Sequence, residues 1–117
     1  MQSGDALASF LVGRLAQAGE RDAVVLKVHV GRFPIPGSAR VLAAAGGRLW
    51  LAAGSLLGGP STADVPLSAV REARVDGVRL VLRTTEAVLR FTVVDGEPAV
   101  AAFLRAVVPQ TGTTTAG

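Results

Sequence analysis

The sequence predicts a mainly β domain of the α+β kind: an antiparallel sheet with a helix added before it and a helix closing it. Three observations predict this. Apolar residues alternate with period two through VPLSAVREARV and VRLVLRTTEAVLRFTVV. The period lengthens to about 3.6 after Asp95-Gly96, in EPAVAAFLRAVVP, as a small sheet closed by a helix requires. Near the other end, residues 5 to 18 place Leu7, Phe10, Leu11, Leu15 and Ala18 at helical spacing on one face.

The first element is that helix, within an N-terminal segment 1–21. Ser3 or Asp5 caps its start and Gly19 suits the C′ position at its end. Gly13 costs it about 1 kcal/mol relative to Ala, so it needs docking, on its own domain or on another chain. Residues 23 to 32, AVVLKVHVGR, then alternate strictly, with Val24, Leu26, Val28 and Val30 on one face and Val25, Lys27, His29 and Gly31 on the other. Pro34 and Pro36 break the strand in the loop Phe33 to Gly37.

Ala39 to Ala45 and Arg48 to Ala53 form two strands joined by Gly46-Gly47, a favoured tight hairpin turn. Leu49 and Leu51 point inward and Trp50 to the opposite face. Residues 54 to 62 read as loop, and VPLSAVREARV as one strand. In the second hairpin, a turn at Thr85-Glu86 pairs Leu82 with Leu89 and Leu80 with Phe91 on the inner face. Arg79, Val81 and Arg83 then oppose Thr92, Arg90 and Val88 on the outer face. A one-residue slip would invert both faces, so the apolar pattern specifies this register. The closing helix, 97 to 108, carries Val100, Phe103, Leu104 and Val107 on one stripe, with Pro98 in its first turn and Pro109 as its stop. The main domain spans 22–109, and the tail 110–117 has nothing to bury, so disorder is expected there.

At 117 residues, half of them hydrophobic and 18% charged, the chain makes one domain with a real core. The net charge of +3 comes almost wholly from arginine and is too small to indicate nucleic acid. The absence of Cys excludes disulfides, thiolate metal sites and cysteine nucleophiles, and suits a cytoplasmic protein. No apolar run reaches the roughly 18 to 20 residues of a membrane span.

The segments ARVLAAAGGRLWLA, VPLSAVREARV, VRLVLRTT, AVLRFTVV and EPAVAAFLRAV resemble the pleckstrin-homology-like superfold, in its bacterial PH and GRAM-like branch. The words that carry the resemblance are Arg40-Val41-Leu42, Arg48-Leu49-Trp50-Leu51 and Val65-Pro66-Leu67-Ser68-Ala69-Val70. It covers residues 23 to 108 and implies an antiparallel barrel of six or seven strands plugged by the C-terminal helix. The usual Thr-Asp of the first hairpin is replaced by Ala45-Gly46-Gly47. The basic cluster of phosphoinositide-binding members is reduced to Lys27, Arg32 and Arg40. The superfold hosts lipid binders, peptide binders and structural domains alike, so it leaves function to the site. A helix followed by five strands is also the plan of Sm-like RNA-binding barrels, which do not end in an amphipathic helix.

No catalytic, metal or nucleotide motif is present. His29 is the single histidine and reads as a surface or rim residue. Ser55 and Ser61 lack a G-x-S-x-G elbow, and the Gly-Gly pairs fit neither phosphate-loop pattern. The chain is therefore expected to be no enzyme and to need no cofactor or metal. Three sets of residues stand out as binding candidates. The loop Arg32, Phe33, Ile35 through Arg40, with Lys27, sets apolar residues between basic ones, as a membrane-surface or partner-docking element does. Arg79, Arg83 and Arg90 share one sheet face and suit an anionic group or an acidic partner. Trp50 marks a contact site or a seat for the N-terminal helix. The resulting expectation is a cytoplasmic protein-binding or adaptor domain, its partner a protein or a second copy. Peripheral binding to anionic lipid is the alternative.

Overall fold

The computed structural model describes residues 4–20, 22–33, 37–54 and 59–107. Ile35, Ser55, the stop at Pro109 and the tail 110–117 lie outside the described residues. Helix α1 is Gly4–Gln17. Seven strands follow: β1 Val24–His29, β2 Ala39–Ala45, β3 Arg48–Ala53, β4 Ser61–Pro66, β5 Val70–Asp76, β6 Arg79–Thr84 and β7 Val88–Val93. Helix α2, Glu97–Val107, ends the described chain. The strands form one antiparallel sheet in the order β4-β3-β2-β1-β7-β6-β5, which leaves β4 and β5 without an outer strand partner among the described residues, so the predicted barrel is an open sheet rather than a closed one. This order, with a helix at each end of the chain, is compatible with the pleckstrin-homology-like plan.

Local chemistry fixes most of these elements. The end of α1 closes as a Schellman motif: Glu20 N–H donates to Leu15 O at 2.8 Å and Gly19 N–H to Ala16 O at 3.0 Å, with Gly19 at φ 86°. The β2–β3 hairpin turns on Gly46 and Gly47, at φ 62° and 75°, the positive pair that a two-residue turn requires. The second hairpin has the predicted register, with Leu80 opposite Phe91 and Leu82 opposite Leu89.

One segment departs from what its period predicts. VPLSAVREARV is not continuous: β4 ends at Pro66, a 3-10 turn spans Leu67–Ala69, and β5 starts at Val70. Alternation through Val65, Leu67 and Ala69 imitates a strand, but Leu67 N–H instead bonds Gly47 O at 2.9 Å, across from the first hairpin turn. The short turn carries the chain from one edge of the sheet to the other. The first strand also ends earlier than predicted, at His29 rather than Arg32.

Two cores lie on the two faces of the sheet. Inside, Leu26, Val28, Leu42, Leu49, Val70, Leu80, Leu82 and Phe91 pack under Phe103 and Val107 of α2. Outside, Leu7, Leu11 and Leu15 of α1 pack on Val41, Ala43, Ala45 and Ala52. Alanine is a poor strand former, but its small side chains let the helix seat closely on β2. The N-terminal helix therefore docks on its own domain. Burying three leucines contributes roughly 5 to 9 kcal/mol gross, which a helix of this length needs to persist.

The two halves of the sheet meet at β1. That strand pairs with β2 along all six residues but with β7 only at Val28–Val93 and His29–Thr92. Where β7 ends, Asp95 takes over, its carboxylate accepting the Lys27 N–H at 2.8 Å. The described part of β1 beyond this point, Val24 to Leu26, is thereby freed from β7.

Candidate functional site

The outer face of the sheet is divided. Helix α1 covers β1, β2 and β3, and Trp50 packs beneath it, with its indole N–H donating to Ala45 O at 3.3 Å. Trp50 is thus part of the seat of the helix, where it is half-buried. Lys27 is also used in docking: its ammonium pairs with Asp5 of α1 at 2.9 Å and with Asp95 at 3.6 Å. The Lys27 hydrogen bond and positive charge hold the Asp5 carboxyl below its ordinary range. The same bond, together with the charge of Asp95, raises the Lys27 ammonium.

Beyond α1, the outer face of β5, β6 and β7 is open and carries arginine. The register places Arg79 across from Thr92 and Val81 across from Arg90, so Arg79 and Arg90 are diagonal neighbours on one face. Val81, ringed by Arg74, Arg79, Arg83 and Arg90, is only 8% exposed. Their aliphatic stems shelter it while the charged heads stay in water. Glu72 occupies two of these heads, with Arg74 and Arg83 each at 3.4 Å.

Arg32 reaches the same face from the turn after β1. Thr92 Oγ1 donates to Gly31 O at 2.7 Å and pins that turn against β7. Gly31, Arg32, Arg79, Arg90, Phe91 and Thr92 together line a notch of about 270 Å³. Among the described residues, none of its three arginines has a carboxylate partner. Asp76 is the strand neighbour of Arg79 but makes no ion pair with it. Phe33, next to Arg32 in sequence, is 67% exposed.

The loop constellation predicted from sequence is only partly brought together. Lys27 lies on the outer face, whereas Arg40 has the parity of Leu42 and Val28 on the inner face. Arg40 folds back on its own loop, donating to Gly37 O and Ala39 O, both at 2.8 Å. Arg32 instead joins Arg79 and Arg90, and Arg83 is drawn to Glu72. His29 is not a rim residue. It is 7% exposed, and its Nδ1 is buried without a hydrogen-bond partner among the described residues. It lies beside Thr92 in the row that runs on through Arg79 to Asp76. Among the described residues no group of three or more His, Asp or Glu is placed to hold a metal ion. No helix among them is long and apolar enough to cross a membrane.

A second opening lies on the inner face, at the β4 edge. Leu42, Leu49, Leu51, Ala63, Val65 and Leu89 line an apolar groove of about 140 Å³, with Asp64 as its only charged residue. Asp64 is already paired with Arg48.

Comparison with protein families, with curated proteins and with solved structures returns no significant match for this chain.

Proposed function

We propose that the chain is a non-enzymatic, cytoplasmic binding domain of pleckstrin-homology-like fold that engages a protein partner by strand addition at β4. The observation that carries this reading is the contrast between the two free edges. Strand β5 has four charged residues, Arg71, Glu72, Arg74 and Asp76, and a register shift between Val70 and Glu72. Such features blunt an edge against pairing. Strand β4, STADVP, has a single charge, already neutralised by Arg48, carries its proline only at the last position, and runs beside the apolar groove. The occupant that suits both features is an extended segment with aliphatic side chains at every second position. Its backbone pairs with β4 and one side chain enters the groove. The order of the strands and the closing helix support the fold assignment.

The test is photo-crosslinking from each edge in the native cells. A crosslinker at Val65, which is 37% exposed, is expected to capture one protein, and one at Arg74 to capture none. A second copy of this chain as the captured species identifies self-association. Val65→Lys, which puts a charge on the edge, should abolish capture by a crosslinker at Thr62. Capture from Arg74 alone, or from neither edge, overturns the reading.

Peripheral binding to an anionic membrane is the second reading. It is favoured by one observation, the exposed Phe33 next in sequence to Arg32, which lines the arginine notch.

A further inference from the structure

We propose that the notch of Arg32, Arg79 and Arg90 is a binding site for a phosphate monoester. This site is separate from the β4 edge and does not depend on the protein-partner reading.

Among the described residues, three cations without an ion-pair partner line one notch. Lys27 is matched by Asp5 and Asp95, Arg48 by Asp64, and Arg74 and Arg83 share Glu72. Arg14, Arg40, Arg71 and Arg105 make no ion pair among the described residues either, but only Arg32, Arg79 and Arg90 line one notch together. The three guanidiniums of the notch come from three separate segments and have no such partner among the described residues. Repulsion among them is left to an external anion to relieve. They also sit on a fixed frame. Arg79 and Arg90 project from paired strands, and the Thr92 bond to Gly31 O holds the turn that carries Arg32.

The number of charges selects the anion. A carboxylate offers two oxygens and one negative charge, leaving two guanidiniums unbalanced. A phosphate monoester offers three terminal oxygens and nearly two charges, and each guanidinium fork can bind it in bidentate fashion. The space of about 270 Å³ admits the group with part of its ester. The same chemistry is found in a free phosphate compound and in a phosphorylated lipid headgroup. Phe33, exposed beside Arg32, favours the membrane source, since an apolar tip flanked by cations suits an anionic interface.

The experiment follows the arginine Nε–H signals by NMR while inorganic phosphate is added at neutral pH. Arg32, Arg79 and Arg90 are expected to shift together, and Arg83 and Arg105 to stay in place. Arg79→Gln and Arg90→Gln should each weaken binding about tenfold, the loss of one charge-assisted contact, whereas Arg105→Gln should not. A second arm measures sedimentation with phosphatidylcholine vesicles carrying either phosphatidic acid or phosphatidylserine. Preference for phosphatidic acid, lost in Phe33→Ala while the phosphate titration persists, supports the site and assigns it to lipid. A phosphate titration with no vesicle binding supports the site and assigns it to a soluble ligand. Two results overturn the site: no response of the three arginines to phosphate, with both vesicle types bound equally or not at all, or shifts spread evenly over all arginines.

Discussion

Leu11→Ala tests whether the N-terminal helix is an integral layer of the domain. Leu11 is fully buried at the centre of the outer core, between Leu7 and Leu15 on the helix and above Ala43 of β2. Truncating such a leucine costs about 2 to 5 kcal/mol, depending on how far the site collapses. Here the supporting strand is lined with alanine, so the helix has room to settle, and about 3 kcal/mol is expected. With a urea dependence of about 1 to 3 kcal/mol/M, the midpoint should fall by about 1 to 3 M. The single tryptophan reports the event directly, because Trp50 lies beneath the helix. Its emission should shift to the red in the variant, and helical ellipticity should fall. Val12→Ala is the control: Val12 is 47% exposed on the far side of the same helix, and its truncation should leave the midpoint nearly unchanged. If Leu11→Ala and Val12→Ala unfold at the same urea concentration, the helix is not docked as described and the reasoning fails.

Phe103→Ala should cost about 3 to 5 kcal/mol, because its ring is the largest fully buried side chain and lies between α2 and the sheet; differential scanning calorimetry reads the loss. Gly46→Ala places a Cβ at φ 62°, and the Glu20 carboxylate it would meet can swing aside, so the backbone strain alone sets an expected loss of about 1 to 2 kcal/mol in chemical denaturation. His29→Leu removes a buried nitrogen that has no partner among the described residues, and should raise the melting temperature by the equivalent of about 1 kcal/mol. The Lys27–Asp5 tether gives a pH dependence of known sign. The lowered Asp5 carboxyl contributes above its unfolded pKa and loses that contribution as pH falls through its folded value. The raised Lys27 contributes below its unfolded pKa and loses that contribution as pH rises through its folded value. Trp50 emission should therefore be steady between mild acid and about pH 10 and change beyond either limit, and Asp5→Asn should flatten the acid limb.

The parts of the fold that depend on near neighbours in sequence were legible in it. The Gly46-Gly47 turn, the Gly19 cap and the register that puts Arg79 and Arg90 on one face all follow from local pattern. The seat of α1 was half legible. Its stripe of leucines and the outward Trp50 were visible, but the matching row of Val41, Ala43 and Ala45 has meaning only once β2 is known to be central. The arginine notch was not legible as a unit, because Arg32 joins it through the pairing of β1 with β7, across some sixty residues. The burial of His29 was hidden for the same reason: its neighbour Thr92 is distant in sequence. The false strand through Leu67 shows the opposite hazard, since a period-two pattern continues across a 3-10 turn without marking it.

Backbone hydrogen exchange of the chain, free and bound to the protein captured at Val65, tests strand addition most directly. The account predicts that amides on the outer edge of β4 gain at least about tenfold protection on binding, as newly bonded edge groups do, with β5 unchanged. Protection confined to β5 or to the arginine face, with β4 unaltered, would contradict it.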